Sequence, residues 1–294
     1  MDFVTVSGFV PIVGRPNVGK STLVNALVGE KVVITSSRPQ TTRNVVRGIL
    51  TFDETQIVLL DTPGLHKPKT ALGNRLNRLV YGTLTDADVV VFVLDATQKV
   101  GPGDRLIAER LKEAGATVVL VVNKVDKASP GLIADRLAEA SDWDFDAYVP
   151  LSALEGNGLE PLLTEITSRL PDGPFFFDPE TTTDQPEALL ISEIIREKFL
   201  DRLREELPHS LTVVIDELEH RENGTLVVSA KALVERESQK GIVIGKRGEL
   251  IRDAGSAARK ELESIFGVNV FVDLRVKVEK DWQRSEQMLD RLGF

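Results

Sequence analysis

The run Gly14-Arg15-Pro16-Asn17-Val18-Gly19-Lys20-Ser21 constrains this chain more than any other stretch. It fits G-x-x-x-x-G-K-S and stands between an apolar run, Phe9 to Val13, and a helix-like stretch, Thr22 to Val28. Strand, glycine loop and helix in that order define a phosphate-binding loop. The two glycines let the backbone curl until several N–H groups share one concavity. Lys20 adds a cation and Ser21 a hydroxyl suited to Mg²⁺.

From Val4 to about Leu170, short β-branched runs alternate with longer amphipathic stretches, the rhythm of a parallel sheet with crossover helices. The strand-like runs are Phe9 to Val13, Gln56 to Leu60, Val89 to Leu94, Thr117 to Val122 and Ala147 to Leu151. Another strand, Val45 to Phe52, is expected to pair with Thr55 to Leu60 through an Asp53-Glu54 turn. Between Pro171 and Pro186 periodicity gives way to Pro, Asp and Thr, which marks a boundary, although Phe175 to Phe177 should dock on one of the domains. Beyond Pro186 the order changes to helix, strand, strand, helix, helix, strand, helix, with Arg221-Glu222-Asn223-Gly224 as a hairpin signal.

At 294 residues the chain suggests about two domains. With no cysteine, it lacks disulfides, thiolate zinc sites and cysteine nucleophiles. His66, His209 and His220 lie far apart, which disfavours a histidine metal cluster and leaves them surface or structural residues. No run approaches the ~18 apolar residues of a membrane span, and Met1-Asp2-Phe3 has no basic leader, so a cytoplasmic location is expected. The formal net charge of −9 argues against a protein coated in basic residues for nucleic-acid binding. Lys240 to Lys260 departs from that balance. It sets Lys240, Lys246, Arg247, Arg252, Arg259 and Lys260 against Glu249 and Asp253, a local +4.

Two further motifs complete the chemistry of the first domain. Asp61-Thr62-Pro63-Gly64 follows a buried strand, where Asp61 can serve Mg²⁺ and Gly64 can bring its N–H close to a terminal phosphate; Leu65 comes next. Asn123-Lys124-Val125-Asp126 follows another strand. A carboxylate at Asp126 can accept both N1–H and the exocyclic amine of guanine, an arrangement adenine does not offer. Lys124 would lie along the base, Asn123 would tie this loop to the phosphate loop, and Ser152-Ala153-Leu154 would add a backbone contact to the base edge.

In the second part, Gly245-Lys246-Arg247-Gly248 lies between Ile242-Val243-Ile244 and a helix from Glu249 to Phe266. Two short helices joined by a basic G-x-x-G loop allow the backbone to clamp about four nucleotides of single-stranded RNA, the KH mode. Ile242, Ile244 and Ile251 would line a groove for bases, with Lys240, Lys246, Arg247 and Arg252 near phosphates and the helix dipole assisting. Trp143 and Trp282 are expected to be packing anchors.

GRPNVGKS, DTPG, NKVD and SAL, in this order and spacing, resemble the translation-factor-related branch of Ras-like GTPases. The stretch Glu235 to Lys246, the helix Ser192 to Lys198 and the tail from Val276 through Trp282 to Phe294 closely resemble the Era GTPases, with Arg275 where that family normally has tryptophan. The resemblance implies an α/β P-loop GTPase domain at 1–170, a linker at 171–186 and an α+β type II KH domain at 187–294. It implies GTP or GDP bound at Gly14 to Thr22, Asp61 to Leu65, Asn123 to Asp126 and Ser152 to Leu154. Mg²⁺ would be held by Ser21, Asp61 and one of Thr41 and Thr42, in the switch segment Gln40-Thr41-Thr42-Arg43. Lys20 would contact the β- and γ-phosphates, and Lys20, Asn17 and Gly64 would carry catalysis. Leu65 stands where Ras-like members have the glutamine that orients water, so positioning must come from elsewhere. Related GTPases with P-N-x-G-K use the asparagine to hold K⁺, which points to Asn17 and K⁺-stimulated turnover. The implied partners are 16S rRNA near its 3′ end and the 30S ribosomal subunit, in whose assembly the protein would act. The chain is expected to be a monomer. Peripheral association with the inner face of the cell membrane is reported for the family, though no amphipathic anchor stands out here. Two other classes share the phosphate loop: a metabolic P-loop kinase or ATPase, which Asn123 to Asp126 disfavours, and a GTPase whose second domain binds protein or membrane.

Overall fold

The computed structural model describes residues 5–36, 38, 41–65, 70–203 and 207–294, with His209 by its backbone only. Met1 to Val4, Gln40, His66 and the His209 side chain lie outside the described residues. The chain divides into two units. The first comprises Met1–Val33, Thr42–Lys69 and Gly73–Asp184; the second comprises Ile34–Thr41, Thr70–Leu72 and Gln185–Phe294.

The first unit follows the sequence rhythm: β1 (Val6–Val13), α1 (Lys20–Val28), β2 (Val46–Phe52), β3 (Thr55–Asp61), α2 (Ala71–Thr85), β4 (Val90–Asp95), α3 (Pro102–Glu113), β5 (Val118–Asn123), α4 (Pro130–Ser141), β6 (Ala147–Pro150) and α5 (Leu159–Thr167). The sheet order is β2-β3-β1-β4-β5-β6. All neighbours run parallel except β2, which returns antiparallel on β3 from the turn at Asp53, as its sequence predicted. β3, β4 and β5 are buried along their whole length because helices cover both faces. One core holds Val10, Ile12, Leu23, Val24 and Ile166 on the side of α1 and α5. The other holds Val80, Phe92, Ile107 and Ala140 on the side of α2, α3 and α4. Trp143 belongs to the second core, stacked 5.7 Å from Phe92.

The segment after Pro171 is part of this unit. Ile49 N on the edge strand β2 donates to Thr182 O at 2.7 Å, and Thr183 Oγ1 donates to Arg47 O at 2.7 Å, so the segment satisfies an edge that would otherwise be open. The fully buried Gln56 anchors it: Oε1 accepts from the Phe176 and Phe177 amides at 2.7 and 3.0 Å, and Nε2 donates to Phe177 O at 3.0 Å. Phe176 packs its ring 4.7 Å from Phe9. The expected linker at 171–186 is thus strapped to the sheet as far as Asp184.

The second unit contains α6 (Glu187–Leu200), α7 (Leu207–Ser210), β7 (Thr212–His220), β8 (Leu226–Val234), α8 (Glu237–Ile244), α9 (Glu249–Phe266), β9 (Val270–Val278) and α10 (Glu286–Arg291). Its sheet is β7-β8-β9, with β7 antiparallel and β9 parallel to β8. The core joins Ile191, Ile195 and Phe199 of α6 to Val228 and Ala232 of β8 and to Ala254, Ala258 and Leu262 of α9. Trp282 is fully buried, donates from Nε1 to Ser210 O at 3.0 Å and stacks on Phe294.

The helix expected at Glu249 to Phe266 is α9, 18 residues long, and α8 takes in Ile242-Val243-Ile244, with Val243 buried in the core. The residues Ile34–Thr41, read from sequence as part of 1–170, cluster with the second unit. The cause is packing: Ile34 is buried in the α6 core, Glu197 of α6 accepts from Thr35 N at 2.8 Å, and Arg196 of α6 donates to Thr41 O.

Candidate active site and nucleic-acid interface

The carboxyl ends of β1, β3, β4 and β5 converge on the phosphate loop, because every strand but β2 runs the same way. Gly19 adopts φ 100°, and a Cβ there would lie 2.2 Å from Asn123 Nδ2, so only glycine lets α1 start at Lys20 beneath the Asn123 side chain. Lys20 is 6% exposed and donates from Nζ to Gly14 O and Arg15 O at 3.2 and 3.0 Å. Burial lowers its pKa to about 8, against an opposing pull from Asp61.

Asp61, at the end of β3, is fully buried. Its Oδ2 accepts from Ser21 Oγ at 2.8 Å and Thr42 Oγ1 at 2.9 Å, and the two hydroxyl oxygens lie 3.1 Å apart. Its Oδ1, also buried, has no hydrogen-bond partner among the described residues. Burial raises the Asp61 pKa, while Lys20 and the Ser21 and Thr42 hydroxyls oppose the rise. A desolvated carboxylate with a free lone pair beside two hydroxyls is an oxygen donor set that fits Mg²⁺. Thr41 lies apart from this cluster, its Oγ1 bonded to Arg38 O at 2.7 Å. After Asp61, Thr62 Oγ1 donates to Ile12 O at 2.7 Å and Leu65 N to Gly14 O at 3.3 Å, while Gly64 lies against Pro16.

At β5, Asn123 Nδ2 donates to Val18 O at 2.8 Å, tying the two loops together as its motif suggests. Lys124 stands in the left-handed region at φ 66° and places Nζ 2.6 Å from Asn17 O and 2.7 Å from Asp95 Oδ2. Ser152, fully buried, donates to Asp126 Oδ1 at 2.6 Å and so orients the carboxylate. The Ala153 amide bonds Asn123 Oδ1 at 3.0 Å. Ser152 and Ala153 thus hold the Asp126 and Asn123 side chains. Leu154 is 69% exposed. Pro63 follows β3, Thr22 lies in the first turn of α1 and Val125 follows Lys124 after β5.

Sequence reasoning passed over Asp95, Gln98 and Asp104. Asp95 could have been found, since it directly follows an apolar strand just as Asp61 does. Burial would raise its pKa, but hydrogen bonds from Lys124 and Thr97 hold it below the usual carboxylate value.

In the second unit, Gly245 has φ 78°, and a Cβ there would meet Leu250 Cβ at 2.7 Å, so the turn into α9 requires glycine. Arg247 is also left-handed, at φ 54°, and Arg252 Nη2 donates to its carbonyl at 3.3 Å. Lys246 and Arg247 are exposed, Lys240 is half-buried, and Gly248 caps α9. Beside this loop an open groove of about 500 Å³ runs between α9 and β9. Ile251, Arg252, Gly255 and Arg259 line one wall, and Phe271, 57% exposed, and Asp273 the other. Ile251 and Arg252 were expected there; Ile242 is 53% exposed on α8, and Ile244 ends that helix. The β9 wall was invisible in sequence because an edge strand is recognised only once its neighbours are known.

Fold and site together define a P-loop GTPase joined to a C-terminal KH domain. Residues 9–124 match the family model described as 50S ribosome-binding GTPase, and residues 206–283 match that of the KH domain. The chain is 50% identical to GTPase Era of Mycobacterium bovis (strain BCG / Pasteur 1173P2) over 98% of each sequence, and 49% identical to that of Mycolicibacterium smegmatis over 98% of each. It superposes on a single-residue variant of Aquifex aeolicus Era bound to GDP·AlF₄⁻ with a TM-score of 0.94 at 38% identity, covering 98% of this chain and 99% of the other. It superposes on an Era in complex with MgGDPNP and nucleotides 1506–1542 of 16S ribosomal RNA with a TM-score of 0.95, at the same identity and coverage. The chain belongs to the Era family of GTPases and hydrolyses GTP.

Proposed function

We propose that this GTPase binds 16S rRNA near its 3′ end through the KH domain and acts in assembly of the small ribosomal subunit, with the bound nucleotide setting its hold on RNA. The observation that carries the reading is the basic, glycine-turned loop Gly245 to Gly248 opening onto the α9–β9 groove, in a chain so similar to an Era solved with 16S rRNA nucleotides. Filter binding of the full chain to that RNA segment should give tight, salt-dependent association, and Lys246→Ala with Arg247→Ala should weaken it and flatten the salt slope. A protein- or membrane-binding second domain would leave RNA affinity at the level of non-specific contacts. Crosslinking to RNA in cells, with sequencing of the fragments, would identify the target.

In the GTPase site, Lys20 places its ammonium where the β- and γ-phosphates arrive, and Asp126, held by Ser152, selects guanine. Mg²⁺ would be held by Ser21, Asp61 and Thr42, the threonine whose hydroxyl reaches Asp61. When bound, the ion offsets the charge of the phosphate oxygens. Gly64 beside Pro16 would offer its amide toward the terminal phosphate. Leu65 cannot orient water, so we assign Asn17 to hold a K⁺ ion that would supply transition-state charge stabilisation. Turnover should rise in K⁺ over Na⁺ buffer; equal rates would refute the K⁺ role. Asp126→Asn should cut GTP affinity about a hundredfold while binding of ATP stays negligible.

A further inference from the structure

The carboxylates Asp95 and Asp104 are 3% and 1% exposed, and neither belongs to a nucleotide-binding motif. Both serve the phosphate loop. Arg15 Nε lies 2.8 Å from Asp104 Oδ1, and Arg15 Nη2 donates to Gln98 Oε1 at 3.3 Å. Gln98 Nε2 donates in turn to Asp95 Oδ2 at 3.1 Å, the oxygen that also receives Lys124 Nζ at 2.7 Å. Lys124 completes the circuit at Asn17 O, 2.6 Å away. The chain Asp104–Arg15–Gln98–Asp95–Lys124 therefore grips the loop twice, by the Arg15 side chain and by the Asn17 carbonyl. Each anchor is braced: Gly101 N donates to Asp104 Oδ2 at 2.9 Å, and Thr97 N and Oγ1 donate to Asp95 Oδ1 at 2.9 and 2.6 Å.

We infer that Asp104, Gln98 and Asp95 are positioning residues for GTP hydrolysis, holding the Arg15–Asn17 half of the phosphate loop in its catalytic shape. That half carries the Pro16 face against which Gly64 lies, and the Gly14 carbonyl just before it is bonded by Leu65 N. It meets the segment that reaches a terminal phosphate. The other half, Gly19 to Thr22, leads into α1 and holds the phosphates common to GTP and GDP. Loosening the circuit should therefore slow hydrolysis more than it weakens GDP binding, because fractional-ångström displacements act on the reacting geometry.

The test is single-turnover GTP hydrolysis and labelled-GDP affinity on full-length variants. Asp104→Asn keeps an acceptor for the Gly101 amide but loses the charge facing Arg15. It should lower the hydrolysis rate about tenfold with GDP affinity held within about twofold. Arg15→Ala should slow hydrolysis at least as much, and the double variant should fall no further than Arg15→Ala, because both changes break one link. Arg15→Lys, which restores a cation toward Asp104, should recover part of the rate. If Asp104→Asn fails to fold, exposed Gln98→Ala carries the test, with an expected loss of a few-fold. An unchanged rate in whichever variant carries the test, a parallel loss of GDP affinity or an additive double variant would overturn the assignment.

Discussion

Lys20 and Asp61 are the buried charges of the candidate phosphate site. Burial pushes both toward neutrality, Lys20 down to about 8 and Asp61 upward, and their mutual attraction opposes each shift. For binding, the sign follows from the lysine: below about pH 8 it is protonated and attracts phosphate, and above that it progressively loses its charge. GDP affinity at constant Mg²⁺ should be flat from pH 6.5 to about 8 and then fall by up to tenfold per unit, as read by titration calorimetry. An affinity independent of pH up to 9 would contradict this. Lys20, Asp61 and Asp126 were legible in sequence because their motifs fix spacing along one loop. Thr42 was not separable from Thr41, since neighbours on an irregular segment point differently only once the backbone is laid down.

The strap after Pro171 is decided at the scale of the element. The fully buried Gln56 satisfies three backbone groups of Phe176 and Phe177, so Gln56→Leu would take away these partners. The expected cost is about 3 kcal/mol in urea unfolding, accompanied by faster proteolysis at 174–184 and unchanged GTP hydrolysis. Strand order, the β2–β3 hairpin and the helix at Glu249 could all be anticipated, because periodicity and turn residues are local signals. That the segment covers the β2 edge could not, since a Pro-rich stretch carries no periodicity and its partner, Gln56, lies 120 residues away.

For the whole molecule, Ile34–Thr41 is the informative stretch. Thr41 belongs to the second unit and has its carbonyl held by the fully buried Arg196; Thr42, one peptide bond on, belongs to the first unit and bonds Asp61. A nucleotide-dependent change at Thr42 would thus fall one peptide bond from Thr41, whose carbonyl accepts from Arg196 of α6. RNA affinity measured with a GTP analogue and with GDP should differ, and Arg196→Ala should shrink the difference. Equal affinities in the two states would exclude coupling, since linkage is reciprocal.

The amino-acid order alone marked Gly14 to Ser21 as a phosphate-loop motif, Asn123 to Asp126 as a guanine-type motif, and Gly245 to Gly248 as a basic G-x-x-G loop in a second domain. These are contiguous motifs, and contiguity along the chain is enough to place their atoms. Tertiary structure decided the rest: which threonine reaches Asp61, that Asp95 and Asp104 brace the phosphate loop, that β9 walls the groove, and that Ile34, Thr35 and Thr41 meet α6. Each depends on residues tens to more than a hundred positions apart meeting in a desolvated interior, where burial and hydrogen-bond geometry select partners that no local pattern records.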